Sequence, residues 1–343
     1  MKICIFGAGA IGGYLAVMLK RSGADISVIA RGAHLDAIRA DGLKVLTADG
    51  QEHVAEFPAT SNPADLGPQD CVIVAMKAHE AWEAAEAMKP LLGASTMVVT
   101  AQNGVPWWYF YGLPGQFTNL RLESVDPGDR QWRAIGPERV IGCTAYISAE
   151  IVTPGVVRHL SGEAFGLGEP NRKETDRLKA LADIFEKAEL KPRIYPEIRN
   201  DIWLKLWGNL CFNPISALTR APLDVIATDP ATRSVARNMM SEAERIGRRL
   251  GVHFRVDIER RINSASQLQG QRTSMLQDLE RGDALELDPL LSAVQEMGRI
   301  VDLDTPYIDC VLGLAQQMGR IANVYPAYPD AATLTDAERS VAD

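Results

Sequence analysis

"KICIFGAGAIGGYLAVMLKRSG", residues 2–23, reads as a short β-branched strand, a glycine-rich turn and an amphipathic helix. Gly7, Gly9 and Gly12 fit the pattern G-x-G-x-x-G, which is weak alone and gains specificity when it closes a strand and opens a helix. In that setting Gly7 makes the tight turn, Gly9 lets a pyrophosphate approach the backbone and Gly12 lets the helix pack on the strand. Gly7, Ala8, Gly9, Ala10, Ile11 and Gly12 therefore form a candidate cofactor-phosphate loop, the plain alternative being glycines that serve only the turn.

Outward from this stretch, strand-like runs alternate with helical ones. "DISVIAR" (25–31), "DCVIVAMK" (70–77) and "TMVVTAQNG" (96–104) are separated by "AHLDAIRADG" and "HEAWEAAEAMKPLL". Regular alternation of this kind predicts a parallel sheet with helices on both faces. "RVIGCTAYISAEIVTPGVVRHL" and "EAFGLGEP" read as a meander of strands, followed by a helix in "ETDRLKALADIFEKAEL" and a strand in "PRIYP". From Ile198 the strand signals stop, and apolar residues recur at helical spacing over 201–219, 229–251, 255–281, 286–301 and 306–323. The expected fold is α/β: a Rossmann-type dinucleotide-binding domain over 1–197 followed by an all-α C-terminal domain over 198–325, with a polar tail over 326–343.

Composition narrows the partners. With 343 residues, 46% hydrophobic and 23% charged, the chain is long enough for two cores. A formal net charge of −8 argues against nucleic acid and anionic membranes, so an anionic ligand must be met by local positive groups. The sequence offers no apolar run of about 18 residues, and "KICIF" begins directly after Met1, leaving no room for a leader; the expectation is a cytoplasmic protein. The five cysteines are widely spaced in apolar runs and read as reduced core thiols, and the five histidines show no ligand spacing, so no metal site is expected.

The end of the second strand bears on the choice of cofactor. An NAD site commonly carries Asp or Glu there for the ribose hydroxyls, whereas this chain has Ala30 and Arg31. A guanidinium forms charge-assisted bonds to a 2′-phosphate that a carboxylate would repel, which points to NADP(H). Lys77 closes its strand at the ligand-binding edge and Asn103 with Gly104 closes the next; each reads equally as a surface charge or a turn.

"DIWLKLWGNLCFNP" (201–214) carries one ammonium and two carboxamides, Lys205, Asn209 and Asn213, along one stripe of an apolar helix. Such a stripe suits a crevice wall, although a snorkelling lysine is the bland reading, and Pro214 offers a helix stop with Asn213 capping the next segment. At this point the chain resembles the ketopantoate reductases (2-dehydropantoate 2-reductases). The resemblance rests on "IWLKLWGNLCFNPISALT", "SMLQDLERGDALELD" (274–288), "GAGAIGG", "ARGAHL", Lys77 and "QNG", and covers roughly residues 1–325.

The resemblance implies that Lys205 is the general acid toward a keto oxygen and Glu286 the active-site glutamate. It likewise implies that Asn209, Asn213 and Ser274 contact substrate, that Asn103 lies between nicotinamide and substrate, and that Arg31 and Lys77 meet cofactor phosphate. The activity so implied is reduction of a 2-oxo acid by NADPH, with ketopantoate the leading substrate; the family's enzymes occur as monomers and dimers, which leaves a homodimer open. A non-enzymatic NADPH sensor would need the glycine turn but not Lys205 and Glu286 together. Two departures put the particular acid in doubt: the aromatic stretch "VPWWYFYG" with its continuation to residue 135, and Leu291 and Ser292 where the family usually has asparagine and glycine. The aromatics read as a lid, a wider pocket, a satellite core or a subunit contact, and they raise a bulkier keto acid as the alternative substrate.

Overall fold

A computed structural model describes residues 1–327; the polar tail set apart above, 326–343, thus lies almost wholly outside the described residues. In the first half, β1 (Lys2–Phe6), α1 (Ala10–Arg21), β2 (Asp25–Ile29) and α2 (Gly32–Asp41) follow the expected alternation. Three short strands come next, β3 (Leu43–Leu46), β4 (Glu52–Ala55) and β5 (Ala59–Thr60), before β6 (Gln69–Val74), α3 (Ala78–Ala84) and β7 (Leu92–Thr100). After α4 (Arg130–Ala134) the chain forms β8 (Val140–Thr153), β9 (Val156–Gly168), α5 (Asp176–Lys187) and β10 (Lys191–Ile194).

All ten strands join one sheet in the order β4-β3-β9-β8-β7-β6-β1-β2-β5, with β10 also on β9. The run from β8 through β7, β6, β1 and β2 to β5 is parallel. On the other side β8 with β9 forms an antiparallel hairpin where the meander of strands was expected, and β3 with β4 adds a second antiparallel hairpin outside the expected parallel alternation. Only a two-residue connection separates β8 from β9, too short for the crossover that parallel neighbours need. Strand order reverses direction at β1, flanked by β2 and β6, so a crevice opens at the carboxyl ends of β1 and β6.

The second half is helical: α6 (Ile198–Thr219), α7 (Leu223–Thr228), α8 (Pro230–Arg249), α9 (Ile258–Ser266), α10 (Ser274–Arg281), α11 (Ala293–Ile300) and α12 (Pro306–Ile321). The continuous helix expected over 255–281 is interrupted, because Gly270 takes a left-handed φ of 65° and Thr273 caps a new start by accepting the Leu276 N–H. Conversely, no stop occurs at Pro214, which sits inside α6. The lost N–H is tolerated because α6 is buried on almost every side, packed between the sheet and α8, α10 and α12. Asn213 is accordingly an interior helix residue and not a cap.

One core lies under α1 and α5 on one face of the sheet. The other runs without interruption from Phe6, Val72 and Val74 through Trp108, Tyr109 and Trp203 to Ile246 and Val294, so it belongs to both halves of the chain. The aromatic stretch after Asn103 supplies much of this shared core: Trp107, Trp108, Tyr109 and Phe110 are all buried. Arg199 at the start of α6 fastens that stretch, its guanidinium donating to the carbonyls of Tyr109 (2.8 Å), Tyr111 (2.7 Å) and Pro170 (2.8 Å). Replacing it by methionine orphans three backbone acceptors, two of them buried, so Arg199→Met is expected to lower the unfolding free energy in urea by about 3–5 kcal/mol.

Candidate active site

The glycine turn has the backbone the sequence demands. Gly7 takes φ +99°, and a Cβ there would lie 2.9 Å from Met76, two residues beyond β6. A Cβ on Gly12 would collide with the Gly7 carbonyl, so helix α1 can start only against a bare residue. Around Gly9 a Cβ would meet nothing within 4 Å. Open space above Gly9, at the N-terminal end of α1, is what a pyrophosphate requires, so these residues fit a dinucleotide.

Across the crevice, α6 presents Lys205. Its ammonium donates to Asn103 Oδ1 (2.8 Å) and to the Ala145 carbonyl of β8 (2.6 Å). Asn103 in turn donates through Nδ2 to Glu286 Oε2 (3.1 Å), whose Oε1 accepts the Ala78 N–H at 3.4 Å. Lys205, Asn103 and Glu286 thus form one chain of contacts built from β7, α6 and the segment before Pro289. With three N–H bonds and two of them engaged, Lys205 retains one for a further acceptor.

Two backbone features bring this chain together. Gly104, at φ +86°, leaves no room for a side chain beside the Pro289 carbonyl, and the Val105 N–H donates to that same oxygen at 2.8 Å. Residues Asp288–Ser292 form a single π-helical turn at the head of α11, a local form frequent at functional sites. Here Leu291 and Ser292, the second departure from the family pattern, have structural roles: Leu291 is fully buried, and Ser292 donates to Asp288 at 2.8 Å.

Burial drives the Lys205 pKa below the ordinary lysine value, while Cys143, Glu286 and Asp201 pull it back up. Asp201 was not singled out in the sequence, yet it lies one helical turn before Lys205 on α6, 5% exposed, and receives the hydroxyls of Thr144 and Tyr146 (3.1 Å). Its signal was the i, i+4 spacing in "DIWLK". A cavity beside Lys205 is bounded by Asn103, Trp107, Trp108, Cys143 and Ile202, so part of the aromatic stretch faces the site as well as the core.

The remaining candidates are dispersed. Asn209 and Asn213 continue the Lys205 stripe, and among the described residues neither carboxamide has a protein hydrogen-bond partner; Asn213 is 6% exposed. Ser274 is exposed at the start of α10, which packs on α6. Arg31 projects past β2 with 76% of its side chain exposed and an ion pair to Glu80 at 3.3 Å. Lys77 reaches across the crevice, donating to the Ala284 carbonyl (2.6 Å) and pairing with Asp278 (3.1 Å). Among the described residues no cluster of His, Cys, Asp or Glu suits a metal ion, and no helix is long and apolar enough to cross a membrane.

A nucleotide-type turn at the switch point of an α/β sheet, facing a buried lysine on an all-α domain, defines a two-domain dinucleotide-dependent oxidoreductase. Residues 3–172 match the family model described as ketopantoate reductase PanE/ApbA, and residues 197–319 match that of its C-terminal part. The chain belongs to the ketopantoate reductase family, whose members are oxidoreductases acting on CH–OH groups. It is 52% identical over 312 residues to a 2-dehydropantoate 2-reductase of Mesorhizobium japonicum, covering 91% of this chain and 95% of the relative. A crystal structure from Ralstonia solanacearum MolK2, assigned to the ketopantoate reductases, superposes with TM-score 0.90 at 42% identity, covering 94% of this chain and 99% of that one. A PanE/ApbA family ketopantoate reductase from Ralstonia eutropha JMP134 gives TM-score 0.81 at 28% identity, covering 94% and 100%.

Because Gly12 has no space for a methyl group, Gly12→Ala is expected to weaken dinucleotide binding at least about tenfold, read by fluorescence titration of the reduced cofactor, and to lower Tm.

Proposed function

We propose that this protein reduces a 2-oxo acid to the 2-hydroxy acid with NADPH, ketopantoate to pantoate being the leading pair. The observation that carries the reading is the Lys205–Asn103–Glu286 chain at the carboxyl edge of β7. Bound reduced nicotinamide would supply the hydride to the keto carbon. Gly7, Ala8, Gly9, Ala10, Ile11 and Gly12 would hold its pyrophosphate. NADP preference is supported by the exposed guanidinium of Arg31 and the absence of a carboxylate at the end of β2; a 2′-phosphate there would compete with Glu80 for it. Lys77 is a second candidate for cofactor phosphate, in competition with Asp278.

As hydride arrives, negative charge develops on the keto oxygen. The uncommitted N–H of Lys205 stabilises that charge and then transfers its proton to the oxygen. Asn103 keeps the ammonium aimed by accepting from it, and Glu286 keeps Asn103 in that orientation by accepting from its Nδ2. Asn209, Asn213 and Ser274 supply uncharged polar groups toward the remainder of the acid. A bulkier acid is the second reading, favoured by the Trp107 and Trp108 indoles beside Lys205.

The deciding assay is NADPH oxidation with ketopantoate and a panel of branched, aromatic and dicarboxylic 2-oxo acids. Turnover is expected with ketopantoate most of all, preference for an aromatic acid would favour the second reading, and no turnover with any acid would overturn both. Lys205→Ala is expected to lower kcat about 10²- to 10⁴-fold with NADPH affinity nearly unchanged. Since the ammonium is the acid, reduction slows as pH rises through the depressed Lys205 pKa. The alkaline limb of kcat is therefore expected below 10.5, the ordinary lysine value, and absent from the variant's residual rate. Arg31→Ala is expected to weaken NADPH more than NADH, and equal losses in titrations of the two would refute the phosphate contact.

A further inference from the structure

Arg261 of α9 was not among the candidates drawn from the sequence. In the folded chain its guanidinium lies against α6. A Cβ built on Gly208 would overlap Nη2 and sit 3.0 Å from Cζ, so the guanidinium rests on bare helix backbone that any side chain would deny it. Gly208 and Asn209 follow Lys205 by three and four residues, which places the guanidinium on the face of α6 that carries the lysine, one turn along.

What sets this arginine apart is the lack of a counter-charge. Arg233 and Arg237, on the neighbouring α8, both pair with Glu259. Arg261 has no side-chain hydrogen-bond acceptor and no ion-pair partner among the described residues. The ionisable groups that act on it electrostatically are Cys211 and Tyr146. Burial pushes both upward and keeps them neutral at ordinary pH, so neither balances the cation. Burial also drives the guanidinium of the half-buried Arg261 below the usual arginine range. Such a group costs stability unless an anion arrives to meet it.

We propose that Arg261 is the carboxylate anchor of the site, receiving the acid group of the substrate on its planar fork while Lys205 addresses the keto oxygen. The assignment rests on the 2-oxo acid reading above. A 2-oxo acid carries its carboxylate on the carbon next to the keto carbon, so its two oxygen-bearing groups need two donors that converge from neighbouring positions on one wall. Lys205 and Gly208 share one face of α6, about 4.5 Å of helix rise apart, and the guanidinium rests over the second of them. In a chain of net charge −8, this is also the local positive group an anionic substrate requires. The unpartnered carboxamides of Asn209 and Asn213 continue the same wall.

The test compares ketopantoate with its uncharged methyl ester in the purified enzyme with NADPH. For R261Q the expected result is a KM for the acid raised about 10- to 100-fold, the size of a charge-assisted bond, with kcat changed less than about threefold and the ester unaffected. Tm is expected to hold or rise, whereas a structural arginine would lower it. G208A, which displaces the guanidinium while keeping it, is expected to raise the acid's KM in the same sense, and R261K to restore part of the loss. These two variants carry the comparison should R261Q not fold. A KM for the acid within twofold of wild type, or equal losses on acid and ester, would overturn the anchor and leave the reductase standing. If the wild-type protein reduces none of the 2-oxo acids and does not bind oxamate, both readings fall together.

Discussion

The site depends on one close approach between backbones, Gly104 against Pro289. A residue at the carboxyl edge of the sheet and a π-helical turn in the helical half meet there with no side chain between them, and the Val105 N–H bonds across the join. That contact sets Asn103 and Glu286 beside each other from positions far apart in the chain. Asn103 can then serve two masters of opposite charge, since a carboxamide offers an acceptor to the ammonium and a donor to the carboxylate. A carboxylate at 103 could not donate to Glu286, and an alanine would leave Lys205 with a single protein acceptor.

Lys205 itself is a compromise between solvation and charge. Its surroundings on α6 are apolar, with Trp203, Leu206 and Trp207 all buried, and removal from water favours the neutral amine. Glu286 on one side and Asp201 one turn back on the other oppose that loss. The balance yields an ammonium more acidic than that of an exposed lysine and already fixed by Ala145 and Asn103, so under the proposed mechanism little reorganisation would remain for a substrate oxygen.

Much of this could be read from the chain. The glycine turn, the strands at 2–6, 25–29 and 69–74, the change to an all-helical second half and the placing of Lys205 and Glu286 in one crevice all follow from periodicity, motif spacing or family resemblance. Other features resisted for physical reasons. Strands β3, β4 and β5 are too short to show a period. Pro214 breaks an isolated helix, but packing around α6 overrides that local preference. The aromatic stretch after Asn103 looked equally like a lid, a pocket wall or a core, and only its neighbours show that Trp108 and Tyr109 fill space under α6 while Trp107 and Trp108 also reach the cavity. Arg261 lies too far along the chain from Gly208 for any local pattern to link them, and only the third dimension does so.

The shared core has a consequence for how the protein folds and comes apart. Two sequence domains usually suggest two cooperative units joined by a hinge, yet here the apolar mass runs unbroken from Phe6 to Val294 through the rings of Trp108, Tyr109 and Trp203. Severing the chain before α6 would leave a sheet with one face stripped and a helical bundle lacking its floor. Neither fragment would keep enough buried surface to offset its lost chain entropy. Melting should therefore be a single event in which both halves lose their packing together.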